Sequence, residues 1–200
     1  MLAPPLIFLL SPANLGGRRG AMLLDPSAQF PLARELRSAQ GAELGELFSF
    51  VSSLYFRGKL AYARAFGRAP VGEDAVHVIS AGGGLCRPED RFSLERLQGW
   101  AKVSIHHDNP HFTAPLIRHA NTLLERAEKG TRFVLLGSVA SSKYVAPLLD
   151  VFGPALLFPE QFDGLGDMSR GALLLRAVRD RSELAYAPVG AARHGRRAIE

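Results

Sequence analysis

Leu6-Ile7-Phe8-Leu9-Leu10, followed by Ser11-Pro12-Ala13-Asn14-Leu15-Gly16-Gly17-Arg18-Arg19-Gly20, is the stretch that decides the fold. Five consecutive apolar residues halted by Ser-Pro suit a strand covered on both faces, which is the environment of a parallel sheet. The loop after it is rich in glycine and arginine. The opening residues, MLAPPLIFLLSPA, superficially mimic a secretion signal. The apolar run is short, no basic residue precedes it, and Pro4-Pro5 interrupts it, so a buried first strand is expected instead.

The same pattern recurs along the chain. Residues 75–80 (AVHVIS) read as a second buried strand ended by Gly82-Gly83-Gly84, 133–137 (FVLLG) as a third, and 155–158 as a fourth ended by Pro159. Helical spacing lies between them: Phe30 to Leu36, a long segment over 43–66 stopped by Gly67, a short one from Ser93 to Trp100, and segments over 114–129 and 142–152. Residues 103–113 read as loop. Strands alternating with helices predict an α/β fold, a three-layer α/β/α sandwich on a mainly parallel sheet of about four strands. Residues 172–189 leave two readings open, a helix starting near Ser169 or a C-terminal hairpin of 173–179 with 184–189. The hairpin is the preferred one. One domain over 1–189 and a basic tail over 190–200 (GAARHGRRAIE) are expected.

The chain has 200 residues, 47% of them apolar and 22% charged, which is ordinary for a globular protein with a core of its own. The one cysteine, Cys86, excludes an internal disulfide and suits a reducing compartment, so a cytoplasmic protein is expected. No run approaches the ~20 apolar residues of a membrane span. Lys and Arg exceed Asp and Glu by 24 to 19, a balance that favours an anionic partner.

In open parallel sheets ligands sit beyond the carboxyl ends of the strands. Three strands end there in small-residue loops, SPANLGGRRG, SAGGGL and GSVASSK. Ser11, Gly16, Gly17, Arg18, Ser80, Gly84, Ser138 and Lys143 are accordingly candidates for holding phosphate, glycine allowing backbone amides to approach an anion. Neither GxxxxGK[ST] nor GxGxxG is present, which excludes the usual mononucleotide and dinucleotide loops. The polar segment 158–171 adds Asp167 to orient water, Ser169 as a donor and Arg170 as an anion clamp. Its bland alternative is a helix start with a capping Asp or Ser. Tyr55, Arg57 and Lys59, close together on the long helix, could supply stacking and charge for nucleic acid, or be the solvated side of a core helix. His106-His107-Asp108-Asn109-Pro110-His111 has metal-binding residue types without a dependable zinc spacing, and a polar loop is expected, with no metal or cofactor.

The order SPAN-x-GG-R-R, SSLYFRGKLAYA, VHVISAGGGLCRPED and a strand ending in LLGS resembles a bacterial family of YaaA-like proteins, with their LY…S…F…A…(I/V)LSAKYGL stretch. Relatives of that family share the uracil-DNA glycosylase-like α/β fold. The resemblance implies a nucleobase, nucleotide or nucleic-acid ligand and points to Ser11, Asn14, Tyr55, Arg57, Ser80 and Gly84. This chain has Gly82-Gly83 where the family pattern has Lys-Tyr, and it lacks the Asp and His motifs of true uracil-DNA glycosylases. The expectation is a nucleic-acid- or nucleotide-directed domain, a base-processing one with Asp167 and Asn14 as catalytic candidates. The alternative is a non-catalytic sensor of a small phosphorylated metabolite.

Overall fold

The computed structural model describes residues 4–140 and 142–192. Six strands form one sheet: β1 (Leu6–Leu10), β3 (Val76–Ser80), β4 (Gly84–Cys86), β6 (Arg132–Leu136), β7 (Leu156–Pro159) and β8 (Tyr186–Pro188), in the order β4-β3-β1-β6-β7-β8. The inner four run parallel, with Phe8 opposite both Val76 and Val134. β4 and β8 pair antiparallel at the two edges. β2 (Ala42–Glu43) and β5 (Arg91–Phe92) make a separate short ribbon.

Every residue of β1 is fully buried, the physical reason its sequence lacks alternation. The two faces of the sheet are covered by helices. α3 (Leu44–Phe66) and α7 (Asp167–Arg179) pack together on one side, while α5 (Pro110–Arg126) and α6 (Ser142–Phe152) pair on the other. The shorter α1 (Arg18–Leu24), α2 (Pro31–Leu36) and α4 (Leu94–Ala101) surround the start of α3, and α8 (Val189–Ala192) follows β8. The three-layer sandwich expected from the alternating pattern is therefore present.

Several details depart from the sequence reading. The sheet has six strands rather than four, because β4 and β8 are only three residues long and carry little pattern. A C-terminal antiparallel pair exists, but its members are β7 and β8. Residues 173–179, read as a strand, lie in α7. Residues 110–113, read as loop, open α5, where Asn109 Oδ1 accepts the His111 amide. The long helix breaks at Ser53, whose φ of 49° and ψ of −122° lie outside helical space. Most of the expected basic tail lies outside the described residues.

α3 and α7 approach closely because both carry glycine at the crossing. A Cβ on Gly58 would stand 2.8 Å from the Gly171 carbonyl oxygen, and one on Gly171 would stand 2.9 Å from Tyr55 Cα. This contact sets the first turn of α7, with Asp167 and Arg170, beside Tyr55. β8 is tied to the same helix: Tyr62 and Tyr186 share a 2.7 Å hydrogen bond, and Tyr62 Oη accepts the Leu184 amide at 2.8 Å.

Candidate functional site at the carboxyl end of the sheet

The chain leaves β1 toward β3 on one side and then crosses to β6 on the other. The switch point of the sheet therefore lies between β1 and β6, where loops diverge and leave a crevice. A cleft of about 410 Å³ opens there, inside the usual range for small-molecule sites. Asn14, Phe48, Trp100, Ser104, Lys143 and Tyr144 are among its lining residues. Three aromatic rings and a few polar groups make the wall chemically mixed.

Beneath this wall sits a buried polar centre. Lys59 is 1% exposed, and its Nζ donates to the Ser11 carbonyl oxygen at 2.6 Å and to Ser11 Oγ at 2.9 Å. The ammonium also lies 4.5 Å from the Tyr55 ring centre and 4.8 Å from that of Phe56. No carboxylate forms an ion pair with it among the described residues. Burial pushes the Lys59 amine down to about 7, opposed only weakly by Asp167. Such a shift on a buried amine, below the wall of a cleft it does not itself line, makes Lys59 a candidate for a functional role.

Tyr144 joins this centre to the cleft. Its Oη accepts the Ser138 amide at 3.2 Å and lies 3.3 Å from the Ser138 carbonyl oxygen, to which it can donate. Burial raises its phenol, while the Ser11 hydroxyl acts on it as a hydrogen-bond partner that favours the ionised form. Ser11 Oγ and Tyr144 Oη each lie 3.0 Å from the point a Gly137 Cβ would occupy, so only glycine leaves room for both. The Tyr55 hydroxyl is buried with no partner in hydrogen-bonding geometry, although the Arg170 guanidinium is close enough to act on it. Burial also raises that phenol.

The structure brings some sequence candidates together and separates others. Asn14 and Lys143 face the cleft, while Ser11 and Ser138 lie behind Tyr144. Asp167 and Arg170 are close enough to act on Tyr55 and Tyr144, yet Arg170 is held by the Phe162 carbonyl oxygen at 3.1 Å and stacks on the Phe162 ring. Ser169 is exposed, and Arg18 is exposed on α1 without lining the cleft.

Three readings need correction. The Gly16 amide is taken by Asn14 Oδ1 at 3.1 Å and the Gly17 amide by the Asn14 carbonyl at 3.2 Å, so this loop closes on itself instead of cradling phosphate. Ser80 and Gly84 build the β3–β4 turn: Ser80 Oγ donates to the Gly84 carbonyl and accepts the Gly83 amide. Gly84 has a φ of 68° and touches α5. Lys59 and Tyr55 are buried, so neither offers charge or a ring to a nucleic-acid surface; only Arg57 of that trio is exposed. The Gly82-Gly83 pair instead gives Trp100 its space, since a Cβ on either would stand within 2.7 Å of the indole.

Sequence reasoning missed Trp100, Phe48 and Tyr144. The sole tryptophan was a visible signal, and Tyr144 stands one residue after Lys143 in the loop singled out. His106, His107 and Asp108 place their ligand atoms within 4.8 Å of one another on the exposed surface, with His107 Nδ1 3.3 Å from Ser142 Oγ. Among the described residues no helix is long and apolar enough to cross a membrane. Compared with family models, curated proteins and solved structures, the chain matches none.

Proposed function

We propose that the cleft binds a nucleobase-bearing ligand, a nucleotide or an extruded base of a nucleic acid, and that the domain processes that base. The observation that carries this reading is the mixed wall at the switch point. Trp100 and Tyr144 line it with the edges of largely buried rings, aromatic groups of the kind base-flipping enzymes set against a base, and the buried Phe48 adds apolar character. Asn14 uses Oδ1 for its own turn, leaving the Nδ2 hydrogens to read an acceptor on a base edge. Lys143 at the cleft and the net charge of +5 favour a phosphate-bearing ligand. Asp167, an exposed carboxylate at the start of α7 whose charge acts on Lys59, Tyr55 and Tyr144, is assigned to orient water. The resemblance of the SSLYFRGKLAYA and VHVISAGGGL blocks to YaaA-like proteins agrees with a base-directed site.

Trp100 is the chain's one tryptophan, so intrinsic fluorescence reports occupancy without a label. Titration with AMP, GMP, CMP and UMP, and with single-stranded DNA and RNA, over about 50 to 200 mM salt tests the reading. Quenching that weakens with salt is expected for at least one probe. Lys143→Ala is expected to lower its affinity about tenfold and reduce the salt slope by about one. Absence of saturable quenching by every probe would remove the proposal. Saturable mononucleotide binding without turnover would leave the sensor alternative in its place.

A further inference from the structure

His106, His107 and Asp108 lie on the loop between α4 and α5, and one ligand atom from each stands within 4.8 Å of the other two. Asp108 turns one oxygen to each ring: Oδ2 lies 3.5 Å from His106 Nδ1, and Oδ1 lies 3.2 Å from His107 Nε2. Zinc bonds of ~2.0–2.1 Å put the ligand atoms of a tetrahedral site ~3.3–3.4 Å apart. The two contacts bracket that spacing. Three consecutive residues carry no zinc spacing in the sequence. The loop turns here, with the Asp108 amide reaching back to His106 Nδ1 at 3.3 Å, and this brings the three side chains together.

The loop is held from both ends. The His106 amide donates to the Ser104 carbonyl oxygen at 3.1 Å, and Asn109 Nδ2 donates to the same oxygen at 2.7 Å. Asn109 Oδ1 also caps α5 by accepting the His111 amide. Ligands fixed in this way lose little freedom on taking up a metal. His107 has a further support from outside the loop, since its Nδ1 lies 3.3 Å from Ser142 Oγ at the first residue of α6. With the Nε2 lone pair turned to the trio, the ring proton sits on Nδ1 and can donate to that hydroxyl. Metal-ligating histidines are oriented by such a bond from their other ring nitrogen.

We infer that His106, His107 and Asp108 bind one divalent transition-metal ion of the zinc type, with Ser142 as the residue that positions His107. Two imidazoles and one carboxylate suit zinc, cobalt or nickel. Magnesium and calcium take oxygen ligands instead. Three protein ligands leave a tetrahedral position open for water or an anionic oxygen. All three side chains are exposed, so the ion has a path in. Ser104 and Ile105, directly before the trio, line the cleft, and so does Lys143, directly after Ser142. The site thus adjoins the cleft lining on both segments of chain, but no step of the inference uses the base-directed reading. A merely hydrogen-bonded trio would show the same contacts. It would not take up a metal in a fixed ratio.

Tag-free, EDTA-treated protein titrated with Zn²⁺ by calorimetry and with Co²⁺ by visible absorption separates these. One equivalent of Zn²⁺ is expected to bind, and the Co²⁺ bands to be abolished by Zn²⁺ but not by Mg²⁺. His107→Ala and Asp108→Ala are each expected to weaken Zn²⁺ binding at least about tenfold, and Ser142→Ala about tenfold, with Ser142→Thr restoring it. His111→Ala removes an exposed histidine outside the trio and should keep the wild-type affinity. Melting curves in EDTA check that each variant folds. Several equivalents of similar affinity, or wild-type binding by Asp108→Ala, would mean adventitious coordination only and overturn the site. Wild-type affinity in Ser142→Ala would overturn the positioning role. Failure of nucleotide quenching would leave the metal site standing, and failure of metal uptake would leave the base-directed reading standing.

Discussion

At the scale of single residues, Lys59 is the most consequential side chain, and its environment makes a signed prediction. The folded amine sits near 7 against 10.5 for an ordinary lysine. As pH falls below 10.5 the unfolded chain takes up a proton that the folded chain refuses, so the folded state loses stability until about pH 7. Between pH 7 and 9 wild-type unfolding free energy should therefore rise by up to about 1.4 kcal/mol per pH unit from this group. Lys59→Met should flatten that slope. Urea melts at both pH values compare the two directly. The sequence showed Lys59 within SSLYFRGKLAYA but not which way it pointed. Lysine is almost never fully buried without a partner, so surface placement was the physically sound default. Its real partners, the Ser11 oxygens, stand at the end of a strand 48 residues earlier, a distance no local pattern encodes.

At the scale of elements, the α3–α7 crossing decides where the late polar segment ends up. Gly171→Ala would put a Cβ 2.9 Å from Tyr55 Cα and 3.0 Å from the Leu54 carbonyl oxygen, backbone atoms that yield only if the helices separate. A loss of about 1–3 kcal/mol is expected by denaturant unfolding. Gly99→Ala, inside α4 with open space around it, should do the opposite and add up to about 1 kcal/mol through helix propensity. The long helix of this layer, α3, was legible from apolar spacing, and so on the other face was α6, bounded correctly at 142–152. The break at Ser53 was not legible, because a positive φ at a serine is a tertiary outcome. Nor was the helical state of 173–179. Leu173, Leu174 and Leu175 fit a strand as readily as a helix until the glycine crossing fixes them against α3.

For the whole molecule, the alternation of buried strands with helices made the architecture readable. The short edge strands and the closing of the first glycine loop on itself were not. They depend on backbone partners rather than on side-chain pattern. Strand order carries a further prediction. β1 pairs with β3 along Phe8–Leu10 and with β6 along its entire length, so a chain ending before residue 132 keeps one side of its central strand open. Such a fragment should lack the cooperative thermal transition of the complete chain when followed by circular dichroism. The same order matters during synthesis. The most apolar strand leaves the ribosome long before its principal neighbour, at roughly 5–20 residues per second, and so stays half-paired for on the order of ten seconds. Throughout that interval LIFLL is a sticky segment without a shelter, and a holding chaperone is what the nascent chain would need most.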